Sequence, residues 1–104
     1  MGRKKHIDLL KEFKKKANKE IPIEKMILFG SRAKGKAHRW SDFDLILVSK
    51  KFKDIDSIKR PRKLYDYWEI DYPVDFLCYT PEEFKHMKNQ ITIVRDAVKN
   101  GVEV

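Results

Sequence analysis

Cys78 is the only cysteine in 104 residues, so the chain can form neither an intramolecular disulfide nor a CxxC-type metal site. It sits inside an apolar run and reads as a small buried residue. No apolar stretch is long enough to span a bilayer, and no hydrophobic core of a signal peptide follows the charged N-terminus. These absences predict a soluble, cytoplasmic protein with no membrane partner. Histidines are few, and His6, His38 and His86 share no HxH or HxxH spacing, so each reads as a surface residue. Repeats, low-complexity linkers and composition breaks are also missing, which predicts one domain over residues 1–104.

What the chain does have is charge. Lys and Arg number 24 against 16 Asp and Glu, a net charge of +8. A surplus of that size favours polyanionic partners such as nucleotides, RNA or an acidic protein, or else forms a solvated lysine-rich surface. The apolar share of 41% is enough for one folded core.

Periodicity places the elements. Ile7, Leu10, Phe13 and Ala17 predict an amphipathic helix over 5–19, and residues 25–29 a short buried strand ending at Gly30. Residues 31–36 read as a turn opening a helix, 42–48 as a second strand, and 50–59 as a loop. Pro61 suits the start of a helix carrying Leu64, Tyr65 and Trp68. After the Tyr72-Pro73 turn comes a third strand over 74–79. Thr80-Pro81-Glu82-Glu83 is a capping-box start for one helix carrying Phe84, Met87, Ile91, Val94 and Val98 to Asn100-Gly101. Residues 102–104 suit a short last strand. The order predicts an α/β (α+β) fold, a small mixed sheet covered by helices on one face.

Chemistry concentrates between residues 29 and 48. Phe29-Gly30-Ser31-Arg32-Ala33-Lys34-Gly35 is a small-residue turn whose backbone N–H groups could approach a phosphate closely. Ten residues after Ser31 come Asp42 and Asp44 at the head of an apolar strand. Carboxylates at i and i+2 of a strand share a face and together suit hard divalent cations. Arg32 and Lys34 lie within reach of the same anion, and Ser41 could orient the strand head. Asp75 interrupts the apolar run of the third strand, where an ionised group needs a partner, water or metal. Asp71 is its rival as a third carboxylate but falls before the Tyr72-Pro73 turn. Trp40, Tyr65, Tyr67, Trp68 and Tyr72 could stack a base or belong to the core. Ile93 and Ala97 broaden the apolar face of the last helix and suggest a partner surface.

The span from Gly30-Ser31 to Asp42-Phe43-Asp44 resembles the GSx10DxD motif of the polymerase-β-like nucleotidyltransferases, in particular the minimal nucleotidyltransferase group. The resemblance covers essentially the whole chain. It implies the polymerase-β-like fold, with Gly30, Ser31, Arg32, Lys34 and Ser41 at a nucleoside triphosphate such as ATP. It also implies Asp42 and Asp44 as ligands of two Mg2+ ions, with Asp75 completing the metal site and acting on the attacking hydroxyl. Family members often carry arginine where Lys34 stands; lysine keeps the charge but not the bidentate geometry. Larger relatives add helical domains that choose the acceptor, for which this chain has no room. A partner or self-association would then complete it. Minimal members commonly pair with a helical HEPN protein, acting as antitoxins by adenylylating a tyrosine of the toxin. The resemblance leaves two other functions open: nucleotidyl transfer to an RNA 3′ end, and a non-catalytic module that neutralises a partner by contact.

Overall fold

The computed structural model describes residues 3–33, 42–90 and 93–104. Its centre is a pair of apolar strands. Lys25–Phe29 (β1) and Phe43–Val48 (β2) run antiparallel, with Lys25 opposite Val48 and Phe29 opposite Asp44. Val74–Tyr79 (β3) lies parallel to β2, and Val102–Glu103 (β4) pairs antiparallel with β1 at Ile27 and Leu28. The resulting mixed sheet has the order β3-β2-β1-β4.

The period-2 alternation of the strands supplies two apolar faces. Met26, Leu28, Phe43, Leu45, Leu47, Phe76 and Cys78 point to one side. There Leu10, Phe13 and Ala17 of helix Arg3–Ala17 (α1) cover them, with Leu64 of helix Arg60–Tyr65 (α2). Ile27, Ile46 and Val48 point to the other side, where Phe84, Val94 and Ala97 cover them. The mixed sheet is therefore as predicted, but its helical cover extends over both faces. The physical reason is that a central strand such as β2, buried at five of its six positions, cannot leave either face to water.

Three elements differ from the sequence reading. Helix α2, expected to carry Trp68, ends at Tyr65. Residues 50–54 form a short 3-10 helix, Lys50–Asp54, capped by Ser49 and anchored by the buried Phe52. The helix expected to run from Thr80 to Asn100 is two helices, Pro81–Met87 (α3) and Ile93–Asn100 (α4). The capping box at Thr80 forms: the Glu83 N–H donates to Thr80 Oγ1 and the Thr80 N–H to Glu83 Oε1 (3.2 and 2.8 Å). The break lets α3 lie over β3 while α4 lies over β1, which one straight rod could not do across a twisted sheet.

Helix α2 also guards the outer edge of β3. Arg60 is 7% exposed; it donates to the carbonyls of Ile55 (3.0 Å) and Cys78 (3.1 Å) and pairs with Glu83 at 2.7 Å. Tyr65 Oη donates to the Val74 carbonyl at 3.3 Å. Burial pushes the Cys78 thiol up to about 12, which keeps it a neutral core residue. Among the described residues no helix is long and apolar enough to cross a membrane.

Candidate active site

The register brings the separated parts of the motif together. Asp44 stands opposite Phe29, the residue before Gly30, and is also the direct cross-strand partner of Asp75 on β3. Alternation sends Phe43 and Leu45 into the core beneath α1 and leaves Asp44 on the opposite face, in phase with Ile46. Asp75 shares that face, in phase with Leu77 and Tyr79. Asp42 is exposed just ahead of β2, Asp75 is exposed on the edge strand, and Asp44 between them is half-buried. Asp71 is exposed and lies before β3, off the strand.

Gly30 is required at its position on two counts. Its φ of +76° is left-handed, where a side chain is strained. A Cβ there would also run into Asp44 Oδ2 and lie 3.3 Å from Asp44 Cγ. The turn and the carboxylate are thus in contact through a space only glycine leaves open. The Ala33 N–H closes the turn on the Gly30 carbonyl at 3.2 Å, with Ser31 half-buried between them.

Burial first, then the charges of Asp75 and Asp42, push the pKa of Asp44 up from its ordinary value. Three carboxylates that repel one another on one face are an all-oxygen donor set suited to a hard divalent cation. Among the described residues no three such side chains converge tightly enough to form a closed cage as they stand. The donors fit the ion by chemistry and by face, on an open surface.

Arg32 turns inward and is 5% exposed. Its guanidinium carbon lies 4.4 Å from the centroid of the Phe43 ring and 4.5 Å from that of Tyr72, contacts worth roughly 0.5–1 kcal/mol each when exposed and about 2 when desolvated. The two rings meet at 62°, and Arg32 occupies the angle between them. His6 of α1 packs edge-on against both rings, at 5.4 and 5.9 Å. Burial, then the charges of Arg32 and Lys5, lower its pKa. His6 was expected on the surface; instead it extends the stripe of Leu10, Phe13 and Ala17 by one turn. That i, i+4, i+7 spacing was the signal available for it in the sequence.

Several other expected residues have non-ligand surroundings. Trp68 packs against Phe13, Phe43 and Phe76 and donates its indole N–H to the Tyr72 carbonyl (2.8 Å). Tyr67 Oη donates to Glu20 at 2.8 Å. Ala97 is buried against β1, so only Ile93 and Val98 of α4 remain as exposed apolar positions. Lys34, Gly35, His38, Trp40 and Ser41 lie outside the described residues. A hollow of ≈ 450 Å³ lined by Lys50, Lys53, Arg60 and Glu83 sits at the far end of β2 from Asp42 and Asp44, and its Arg60 is committed to structural bonds.

Comparison with known proteins gives the family and the fold. Residues 8–102 match the family model of the nucleotidyltransferase domain, and the chain belongs to that family. It is 29% identical over 85 residues to the Haemophilus influenzae protein named "Probable protein adenylyltransferase MntA", covering 80% of this chain and 75% of that one. A crystal structure of a Sulfolobus solfataricus protein assigned to the nucleotidyltransferases superposes with a TM-score of 0.67. It is 24% identical, covering 97% of this chain and 80% of that one, and supports the fold.

Proposed function

We propose that this nucleotidyltransferase acts with Mg2+ to move AMP from ATP to a hydroxyl of a partner protein, in the cytoplasm. The observation that carries the reading is the position of Asp44, in contact with the Gly30 turn on one side and paired with Asp75 on the other. Gly30 and Ser31 receive the triphosphate through the backbone of the turn. Lys34 and Ser41 are assigned to the same nucleotide by their place in the motif. Asp42, Asp44 and Asp75 would hold the two ions, which when bound neutralise charge on the triphosphate and orient the reacting oxygens.

Asp75 has a second task. As the exposed carboxylate of the edge strand it faces an incoming acceptor and takes the proton of the attacking hydroxyl. The acceptor oxygen forms a bond to the α-phosphorus, the bond to the bridging oxygen breaks, and pyrophosphate leaves. A protein acceptor is supported by the likeness to a protein named as a protein adenylyltransferase. Within that reading the acceptor is a tyrosine of a helical HEPN-type toxin and this chain its antitoxin. The net charge of +8 favours one alternative acceptor, an RNA 3′ end.

The test is incubation with α-labelled nucleoside triphosphates, Mg2+ and either candidate partner protein or total RNA. Label should enter protein from ATP and disappear with Asp42→Asn or Asp44→Asn. Transfer that survives both substitutions refutes the catalytic assignment, and label in RNA alone replaces the protein acceptor by the nucleic acid. Asp75→Asn should abolish transfer while leaving ATP binding largely intact.

A further inference from the structure

The motif reading places Arg32 beside the triphosphate, as a basic residue following the Gly-Ser turn. Its surroundings give it another task. A guanidinium that is 5% exposed and lies against two aromatic faces presents little surface to a ligand. The two rings come from the two places that matter most for the carboxylates. Phe43 is the residue between Asp42 and Asp44, and Tyr72 stands two residues before Val74, where the strand of Asp75 begins. The backbone couples these places too, since the Phe43 N–H donates to the Pro73 carbonyl at 2.8 Å.

We propose that Arg32 is a positioning residue. Seated in the angle between Phe43 and Tyr72, it fixes the turn of residues 30–33 against the two strands that carry Asp44 and Asp75. The inference rests on the reading of this site as the nucleotidyl-transfer centre and adds a mechanism for keeping its parts in register. Three segments far apart in the chain must hold phosphate and carboxylates to within a fraction of an ångström for in-line transfer. Phe43 can serve both sides because alternation directs its ring into the core while its neighbours face out. Arginine suits the role where lysine does not, because a planar guanidinium stacks on rings and an ammonium is a hydrated point charge. His6 closes the edge of the cluster from α1, so the same contacts tie the site to the helical layer.

The test uses Arg32→Lys, which keeps the charge, and Tyr72→Leu, which removes one ring, with Tyr72→Phe as the conservative variant. Two readouts are followed. Amide hydrogen exchange reports the turn directly through the Ala33 N–H. It should accelerate by about tenfold or more in Arg32→Lys and Tyr72→Leu, with β1 protection unchanged, and stay near wild type in Tyr72→Phe. In label transfer, kcat should fall by about tenfold or more with the KM for ATP within about threefold of wild type, and Tyr72→Phe should restore it.

A raised KM with kcat kept in Arg32→Lys, and no effect of Tyr72→Leu, would make Arg32 a triphosphate ligand and overturn the proposal. Unchanged exchange at Ala33 overturns it as well, as does faster exchange with undiminished kcat. If Tyr72→Leu fails to fold, Arg32→Lys carries both readouts. A wild-type protein that transfers no label refutes the function proposed above, and the exchange measurement then judges the clamp by itself.

Discussion

Replacing Gly30 by alanine tests whether the phosphate turn and the central carboxylate are one physical unit. The first cost is conformational: a side chain at φ +76° loses about 1–2 kcal/mol relative to glycine. The second is the overlap of the new Cβ with the Asp44 carboxylate, and a forced contact of this kind adds roughly 1–3 kcal/mol if Asp44 stays in place. A middle value of about 3 kcal/mol lowers Tm by about 15 °C at ~5 °C per kcal/mol for a domain of this size. In an Asp44→Ala background the overlap is gone, and only the conformational cost of about 1–2 kcal/mol should remain. If Asp44 instead swings aside in Gly30→Ala, the overlap is relieved, and the variant loses nucleotidyl transfer while keeping more of its stability. Urea unfolding of the four proteins of the cycle, with label transfer measured on each Asp44-containing form, separates these outcomes. A Gly30→Ala protein with wild-type Tm and full transfer would refute the contact and the reasoning built on it.

Three further perturbations probe the surrounding electrostatics. Asp44→Asn should abolish transfer yet raise Tm at pH 7. The folded-state pKa is raised, so the ionised carboxylate is disfavoured by the fold and its loss is a gain. Arg60→Met should cost about 2–4 kcal/mol in urea unfolding, because the carbonyls of Ile55 and Cys78 each lose a donor and Glu83 its partner. The fold lowers the pKa of His6, so wild-type stability should fall as pH drops below about 6.5, where the unfolded chain takes up a proton that the folded one resists. His6→Phe should flatten that part of the Tm–pH curve, and an unchanged slope would contradict the burial assigned to His6.

Strands were the most legible part of this chain, because punctuation and periodicity agree there. Gly30 ends β1, the Tyr72-Pro73 turn precedes β3, and both spans came out at their expected bounds. The division of the last helical stretch was not legible. Phe84, Met87, Ile91 and Val94 keep helical spacing straight through it, and only the twist of the sheet below asks for two directions. The second helical layer was missed for a related reason: alternation in β2 is hidden when nearly every position is buried. At the candidate site, Asp44 and Asp75 stood out as carboxylates at or within apolar runs, but their cross-strand pairing depends on a strand order that no local pattern gives. The seat of Arg32 did not, since it is built by Phe43 and Tyr72, and no local pattern joins three such distant positions.

The placement of the third carboxylate on an edge strand has a consequence for how an acceptor can approach. Among the described residues β3 is an edge strand, so Asp75 is open to another molecule, but an open edge would also invite pairing by any extended segment. Two side-chain hydrogen bonds narrow that route. Pro73 and Tyr79 carbonyls bond back to β2, so alternation directs those of Val74, Phe76 and Cys78 outward. Tyr65 and Arg60 of the same short helix already occupy the first and last of these, Val74 and Cys78. A partner adding as a further strand along the whole edge would have to displace both, and the Arg60 contacts are fixed from four acceptor atoms on three separate stretches of chain. Under the proposed function, a hydroxyl that reaches the Asp75 carboxylate comes over the sheet face that Asp44 shares. On that face Asp44 touches the Gly30 turn and stands beside Asp75, so under the proposed function all three can serve one reacting phosphorus.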